Sequence, residues 1–337
     1  MRSASSRANP LRLRDFIRVK QYYFSVVGYK NQDKIKCFLR YIPNKHGDRE
    51  KNGIKFRKVG HDEAVDVEYT KKYYDGKIFR VPMEDVDEVF KPEERLKEVL
   101  NDEDVGKVVN FFSGIPRRKM GVTGSRLIGL RSEESDIDFI VYGRWWFIAR
   151  EKIKRGLRRG ELENLDQSMW DYIYKKRKIP LPFEIFLIHE LRKYHRAYIG
   201  NTYFDLLYVR DYNEISKGIP EDPGERLNKV VLRAKLKDDR LIFDYPAYYP
   251  IKSKVAKGIL CFTHSFVGQV FKNETLEVSG QLERIDGNTY IIVGTKREVQ
   301  DEYIVSLTLL EKCRLMNEFK SWRMLAELHP SQQKDHL

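Results

Sequence analysis

The sequence predicts a multi-domain α+β chain, in which a central stretch of alternating helix and strand lies between two small β-rich modules. Three observations lead there. The chain has 337 residues, enough for two or three domains. Strand-forming runs dominate up to about residue 83 and return between about 240 and 308. From Lys91 the apolar residues switch to helical spacing. The divisions that follow are a β-rich N-terminal module over 1–90, a central domain over 91–235, a β-rich module over 236–312 built as a small barrel or sandwich, and a C-terminal helix and tail over 313–337.

Residues 1–10 are small and polar and read as a loose tail. YYFSVVGY (22–29) and KCFLRYI (36–42) are strand-like, with KNQDK turning between them. NKHGDREKNG (44–53) reads as a polar loop, IKFRKV (54–59) as a strand and HDEAVDVEYTKKYY (61–74) as a helix. Leu96, Val99 and Leu100, then Val105, Val108, Val109 and Phe112, make 91–114 helical, ended by Gly114 and Pro116. MGVTG (120–124) is a strand; a short helix follows, then the strand DIDFIVYG (136–143). A basic helix occupies 144–160, and 161–196 is further helix interrupted at KIPLPF. TYFDLLYVRD (202–211) is a β-run. ILCFTHSFVGQVF (259–271), TLEVSGQLERI (275–285) and NTYIIVGT (288–295) are strands, the last two joined by the turn pair Asp286-Gly287. Residues 309–328 are helical and the final residues fray.

Composition narrows the function classes. With 41% apolar, 12% aromatic and 34% charged residues, the chain can build cores and is not of disordered type. No run is long and apolar enough for a transmembrane helix, and the N-terminus has no apolar secretory region. Cys37, Cys261 and Cys313 are far apart and form no CxxC pair, which points away from a disulfide framework or zinc site and towards a reducing cytoplasm. The net charge of +13 suits a polyanionic partner. No HxxxH, HExxH, GxSxG or P-loop spacing occurs, and His189 and His195 read as surface or packing residues.

The chemistry concentrates in GVTGSRLIGLRSEESDIDFIVYG (121–143). In a strand, side chains at i and i+2 share a face, so Asp136 and Asp138 point together while Ile137 and Phe139 point away. Side-by-side carboxylates repel unless protons or cations intervene. Magnesium is a hard, oxygen-seeking ion held by a few carboxylates and substrate phosphates, and two such ions clamp the attacking and leaving oxygens of a phosphoryl displacement. Gly124-Ser125 opens a short helix after a strand, where backbone N–H groups can meet phosphates; the Ser125 hydroxyl and the Arg126 charge are candidate additions. Asp205, a lone carboxylate in the apolar strand YFDLLYV, is the candidate third acid; Asp244 is its best rival, and Asp211 and Asp222 are weaker ones. Glu133 and Glu134 read as solvated loop residues.

TGSRLIGL followed by SDIDFIV is similar to the signature of the polymerase-beta-like nucleotidyltransferase superfamily: a Gly-Ser pair, about a dozen residues, an Asp-x-Asp strand, and a third acid on a later strand. The resemblance covers roughly residues 91 to 212, and the arrangement also resembles uncharacterised archaeal proteins with this domain between two β-rich flanks. It implies a nucleotidyltransferase fold, a short mixed sheet backed by helices. It implies transfer of a nucleoside monophosphate from a magnesium-bound triphosphate, ATP among the candidates, to an acceptor hydroxyl. Asp136, Asp138 and Asp205 match the acidic ligands, and Gly124, Ser125 and Arg126 fall at the nucleotide loop.

The basic helix carries Arg144, Arg150, Lys152, Lys154, Arg155, Arg158 and Arg159 against Glu151, with Trp146, Ala149, Ile153 and Leu157 as its buried stripe. Arg150, Lys154 and Arg158 share a face and are candidate contacts to a nucleic-acid backbone. The expected acceptor is therefore an RNA or DNA 3′ end. A protein or small-molecule hydroxyl, or an inactive nucleic-acid-binding scaffold, are the other readings.

Overall fold

The computed structural model describes residues 9–132, 135–216, 218–295 and 301–328. The acidic pair Glu133 and Glu134, most of the N-terminal tail and the last nine residues lie outside the described residues. The chain forms a mixed α/β structure of two compact units. The first takes the described residues of Met1–Glu163 and His195–Lys217, the second those of Asn164–Tyr194 and Gly218–Leu337. This grouping differs from the sequence division: the N-terminal module and the central sheet share one unit, and 164–194 joins the C-terminal barrel.

The first unit opens with strands β1 (Phe16–Val19), β2 (Tyr22–Val26), β3 (Lys34–Pro43), β4 (Arg49–Lys51) and β5 (Ile54–Lys58). Short helices α1 (His61–Ala64) and α2 (Glu68–Lys71), then β6 (Phe79–Pro82) and β7 (Glu88–Phe90), complete the module. Its sheet runs β4-β5-β3-β2-β1-β7, with β6 on the other part of β3. One face buries Ile17, Phe24, Ile35, Cys37 and Phe79 in a core of its own. The other face buries Phe16, Tyr23, Tyr41, Phe56 and Phe90 against Leu127, Ile128 and Leu130 of the central segment. Period-two alternation places two apolar sets on opposite faces of one sheet, and both faces are used here.

The central segment follows with α3 (Leu96–Val99), α4 (Glu103–Phe111), β8 (Met120–Val122), α5 (Gly124–Leu127), β9 (Ile137–Tyr142) and α6 (Arg144–Arg159). After an excursion into the second unit through α7 (Gln167–Arg177) and α8 (Phe183–Leu191), it returns as β10 (Arg196–Ile199) and β11 (Thr202–Val209). The sheet order is β10-β11-β9-β8, with β9 and β11 parallel and the other pairs antiparallel. This is the expected short mixed sheet backed by helices. Phe112 stacks on Phe139 at 5.1 Å and meets Phe204 edge-on at 5.9 Å, while Trp146 meets Tyr208 at 6.0 Å. All three sheet residues lie on one face, so the opposite face is left for Asp138 and Asp205.

The second unit adds β12 (Glu225–Leu236), β13 (Ala247–Lys252), β14 (Gly258–Cys261), β15 (Thr275–Ile285), β16 (Asn288–Val293), β17 (Tyr303–Ser306), and helices α9 (Leu307–Lys312) and α10 (Met316–Leu328). The order is β12-β13-β14-β16-β15, and β15 pairs back onto β12, closing a five-stranded ring with β17 outside it. Between β15 and β16, Asp286 and Gly287 both have positive φ (47° and 72°), the expected tight hairpin turn.

Several expectations are corrected. The polar stretch 44–53 contains β4, because Arg49–Lys51 pairs with β5. The helix drawn over 91–114 breaks where the Asp102 carboxylate accepts from Asp104 N and caps α4. The 61–74 and 309–328 helices likewise divide in two. The segment 161–196 ends not in helix but in β10. The run 259–271 is strand only to Cys261, where Thr263 caps a 3₁₀ turn. β12, twelve residues long, went unread because its outer half is exposed and charged and carries no clean alternation.

Candidate active site

The register of the parallel pair sets Asp205 directly beside Asp138. Asp136 lies one residue before β9, and one oxygen from each of Asp136, Asp138 and Asp205 falls within 4.8 Å of the others. The three expected acids therefore converge; Asp244 belongs to the other unit. Asp138 lies between the other two. Burial raises its pKa to about 6, Asp136 and Asp205 push in the same direction, and Arg14 and Lys58 oppose them. A hard divalent cation relieves this crowding, and three carboxylate oxygens in mutual reach are the donor set such an ion takes. Asp205 is held by two neighbours: Arg196 Nε donates to Oδ1 at 2.6 Å and Tyr203 Oη at 2.9 Å.

Gly124 has φ +71°, and a Cβ there would lie 2.6 Å from Asp138 Oδ2. The glycine is thus required twice, by its left-handed backbone and by the carboxylate against it. The preceding residue locks the turn: Thr123 N donates to Asp138 O at 3.0 Å, and Thr123 Oγ1 to Arg14 O at 2.6 Å. Ser125 shares a hydrogen bond with Tyr41. Arg126 pairs with Asp102 and donates from Nη2 to Ser135 O at 2.9 Å and from Nε to Asp136 O at 3.4 Å. Its guanidinium therefore braces the chain that leads into Asp136.

The N-terminal sheet supplies what sequence reasoning missed. Phe56 and Lys58 lie two apart on β5, and Lys58 is opposite Tyr41 on β3, so Lys58 projects from the face that packs on the central segment. Much of its side chain stays accessible. Partial desolvation and Arg40 lower its pKa, while Asp138 and Asp136 raise it. Lys58 and Arg14 thus lie near Asp138, with Arg40 near Lys58. The β4–β5 hairpin also grips the loop between Gly124 and Asp136: Arg49 Nη1 donates to Leu130 O at 2.7 Å, and Lys51 Nζ to Ile128 O at 2.7 Å. Nothing in 14–58 marks these cations as special in sequence, where they are indistinguishable from surface lysines and arginines.

The basic helix forms as expected, burying Trp146, Ala149, Ile153 and Gly156. Gly156 lets the Phe111 ring and Leu162 approach closely, since a Cβ there would sit 3.0 Å from the ring and 3.1 Å from Leu162. Arg158 is exposed; Arg150 and Lys154 are half-buried, and Lys154 lies 4.0 Å from Glu151. His189 is fully buried in the second unit, with Nδ1 2.7 Å from Ile185 O and Nε2 accepting from Ser306 N at 3.0 Å.

Residues 105–195 match the family model of the nucleotidyltransferase domain, which covers the Gly-Ser pair, Asp136 and Asp138 and stops short of Asp205. An uncharacterised protein of Methanocaldococcus jannaschii is 33% identical over 334 residues, spanning 87% of this chain and 98% of that protein. No solved structure matches the chain. No helix among the described residues is long and apolar enough to cross a membrane.

Proposed function

Because the chain belongs to the family of that archaeal relative and carries a nucleotidyltransferase domain, we propose that it is a metal-dependent enzyme that moves a nucleoside monophosphate from an NTP to an acceptor hydroxyl, a nucleic-acid 3′ end. The observation that carries this reading is the convergence of Asp136, Asp138 and Asp205 on one sheet face. Those three residues would hold two magnesium ions, which supply charge neutralisation at the phosphates and at the attacking oxygen. In the transfer, the acceptor oxygen bonds to the α-phosphorus, the bond from that phosphorus to the bridging oxygen breaks, pyrophosphate leaves, and the hydroxyl proton is released.

The chain's own residues divide the remaining work. Gly124 leaves open the space over Asp138, and its backbone and Ser125 face the triphosphate. Arg196 and Tyr203 fix Asp205. Lys58, Arg40 and Arg14 offer cations to the departing pyrophosphate. Arg126 acts on the site through the loop it braces, and Arg150, Lys154 and Arg158 lie along the acceptor's approach.

The test supplies magnesium, each NTP labelled at the α-phosphate, and RNA, DNA and the protein itself as acceptors. Pyrophosphate release with label on an oligonucleotide 3′ end is expected. Asp136→Asn and Asp138→Asn should reduce it to background while the protein stays folded. Near-normal turnover in either variant overturns the site; label on the protein or on a small molecule moves the acceptor; and oligonucleotide binding without any turnover returns the chain to the scaffold reading.

A further inference from the structure

The ring in the second unit has a specific topology. Counting its strands one to five from β12 to β16, with β15 fourth, the order around the ring is one-two-three-five-four and back to one, with three and five (β14 and β16) parallel. That is the order of the five-stranded Greek-key barrel that binds oligonucleotides or oligosaccharides across its second and third strands. Topology alone assigns no function, so the side chains on β13 and its neighbours must decide.

The cations of this barrel fall into two groups. On the first part of β12 each has an acid: Arg226 faces Glu283, Lys229 faces Asp301 and Arg233 faces Glu277. At the other end the pairing stops. Lys235 and Lys252 are exposed and directly opposite each other across β12 and β13, an arrangement that destabilises a sheet unless an anion sits between the charges. Lys237 follows on the same face, donating its backbone N–H to Pro250 O, and Lys254 and Lys257 lie exposed in the turn to β14. Among the described residues, none of these five ammonium groups is paired with a carboxylate. The acids that neighbour them in sequence or across the sheet are engaged elsewhere: Asp238 pairs with Arg240, Asp239 accepts from Lys272 N, and Glu274 pairs with Arg192.

An aromatic platform completes the track. Tyr248 lies on the outer face of β13 with Pro250 and Lys252. It is half-buried, packing against Leu260, Tyr290 and Ile292 and meeting the Tyr290 ring edge-on at 6.5 Å, and the part of the ring left accessible is the platform. The ring covers Gly258, where a Cβ would be 2.4 Å from it. Tyr248 and Lys252 are four residues apart, about 13 Å along the strand, a spacing that accommodates a base on the ring and backbone phosphates on the lysines. Sequence-tolerant recognition of single strands uses this pairing of stacking platform and cationic groove.

We propose that this barrel is a single-stranded nucleic-acid-binding module, with Tyr248 as a base platform and Lys235, Lys252 and Lys254 as phosphate contacts. It names an acceptor class for the transfer reading, but its test needs neither nucleotide nor metal. The full chain is titrated, in chelator, against a fluorescently labelled oligouridylate of about 16 nucleotides, and anisotropy is followed over a salt series. The variants are the exposed triple Lys235→Gln/Lys252→Gln/Lys254→Gln and, as comparator, Arg150→Gln/Lys154→Gln/Arg158→Gln. Single-strand binding contributes a log–log salt slope near −0.7 per phosphate contact, so the barrel triple should flatten the slope by about 2. Tyr248→Leu, which keeps an apolar side chain, should weaken binding and leave the slope unchanged. An unaltered slope in the barrel triple overturns the proposal. So does equal binding of a duplex of the same length, which would reduce the lysines to a general anion surface. If the oligonucleotide binds as proposed but Asp138→Asn and wild type are equally inactive in transfer, the barrel assignment stands and the transferase reading falls.

Discussion

A single methyl group at position 124 is enough to disable the acidic cluster without touching a phosphate. Gly124→Ala forces a side chain into left-handed backbone, at a cost of about 1–2 kcal/mol, and drives a Cβ onto Asp138 Oδ2. The expected outcome is loss of turnover together with weakened binding of manganese, read by a spin-label or calorimetric titration; intact metal binding would show that the glycine serves the triphosphate alone. Lys58 provides the complementary case. Lys58→Gln removes one cation beside the acids and is expected to raise KM for the NTP several-fold and weaken magnesium pyrophosphate binding, with KM for the acceptor unchanged; an acceptor-only effect would place Lys58 on the other substrate. Asp136, Asp138 and Gly124 were legible in the sequence because their chemistry is compressed into fifteen positions. Asp205 was legible as a carboxylate in an apolar strand. Lys58, Arg14, Arg40 and Arg196 were not, because a cation acquires its role only when a fold brings it to a carboxylate.

Elements were legible in proportion to how sharply they are buried on one side. α6 formed where its apolar spacing put it, with Trp146, Ala149 and Ile153 buried as expected and Gly156 taking the last buried position in place of the half-exposed Leu157. β12 escaped because most of its side chains face water. In α8, burial has a pH signature. His189 is neutral in the fold: Nδ1–H donates to Ile185 O and Nε2 accepts from Ser306 N, the residue that caps α9. Burial lowers its pKa from 6.5 to about 3, and Arg192 adds to the effect. A depressed histidine contributes stability that is full above the unfolded value and is lost as pH falls from 6.5 towards 3. The thermal midpoint should therefore drop between about pH 6.5 and pH 4 more steeply in wild type than in His189→Gln. Parallel curves would mean that other groups carry the acid sensitivity.

At the scale of the whole molecule, the N-terminal sheet belongs to the same compact unit as the acidic cluster and is not an appendage to it. Arg12, 1% exposed, pairs with Glu93 and lies between the rings of Tyr142 and Tyr212 at 4.0 and 3.6 Å. The Tyr142 and Tyr212 hydroxyls donate to Glu93 at 2.8 and 2.6 Å. Breaking such a buried pair typically costs about 3–5 kcal/mol, so Arg12→Ala should lower the denaturation midpoint sharply, with Glu93→Gln doing less because the tyrosine contacts persist. Equal stability of wild type and Arg12→Ala would show that the sheet is held by its apolar face alone. Local pattern could not reveal this union, since the partners of Arg12 lie 81, 130 and 200 residues away from it.

The parallel pairing of β9 with β11 has a consequence for synthesis on the ribosome. Asp205 is translated 67 residues after Asp138, an interval of about 3–13 s at ordinary elongation rates. Throughout that time the nascent chain exposes one edge of β9 and lacks its third carboxylate. α6, which packs on β9, emerges during the interval, so that helix is available to the strand before its partner strand is. The acidic centre is completed only when β11 inserts beside β9, which makes chemical competence a late event in the birth of the chain and leaves an unpaired strand edge as its point of vulnerability.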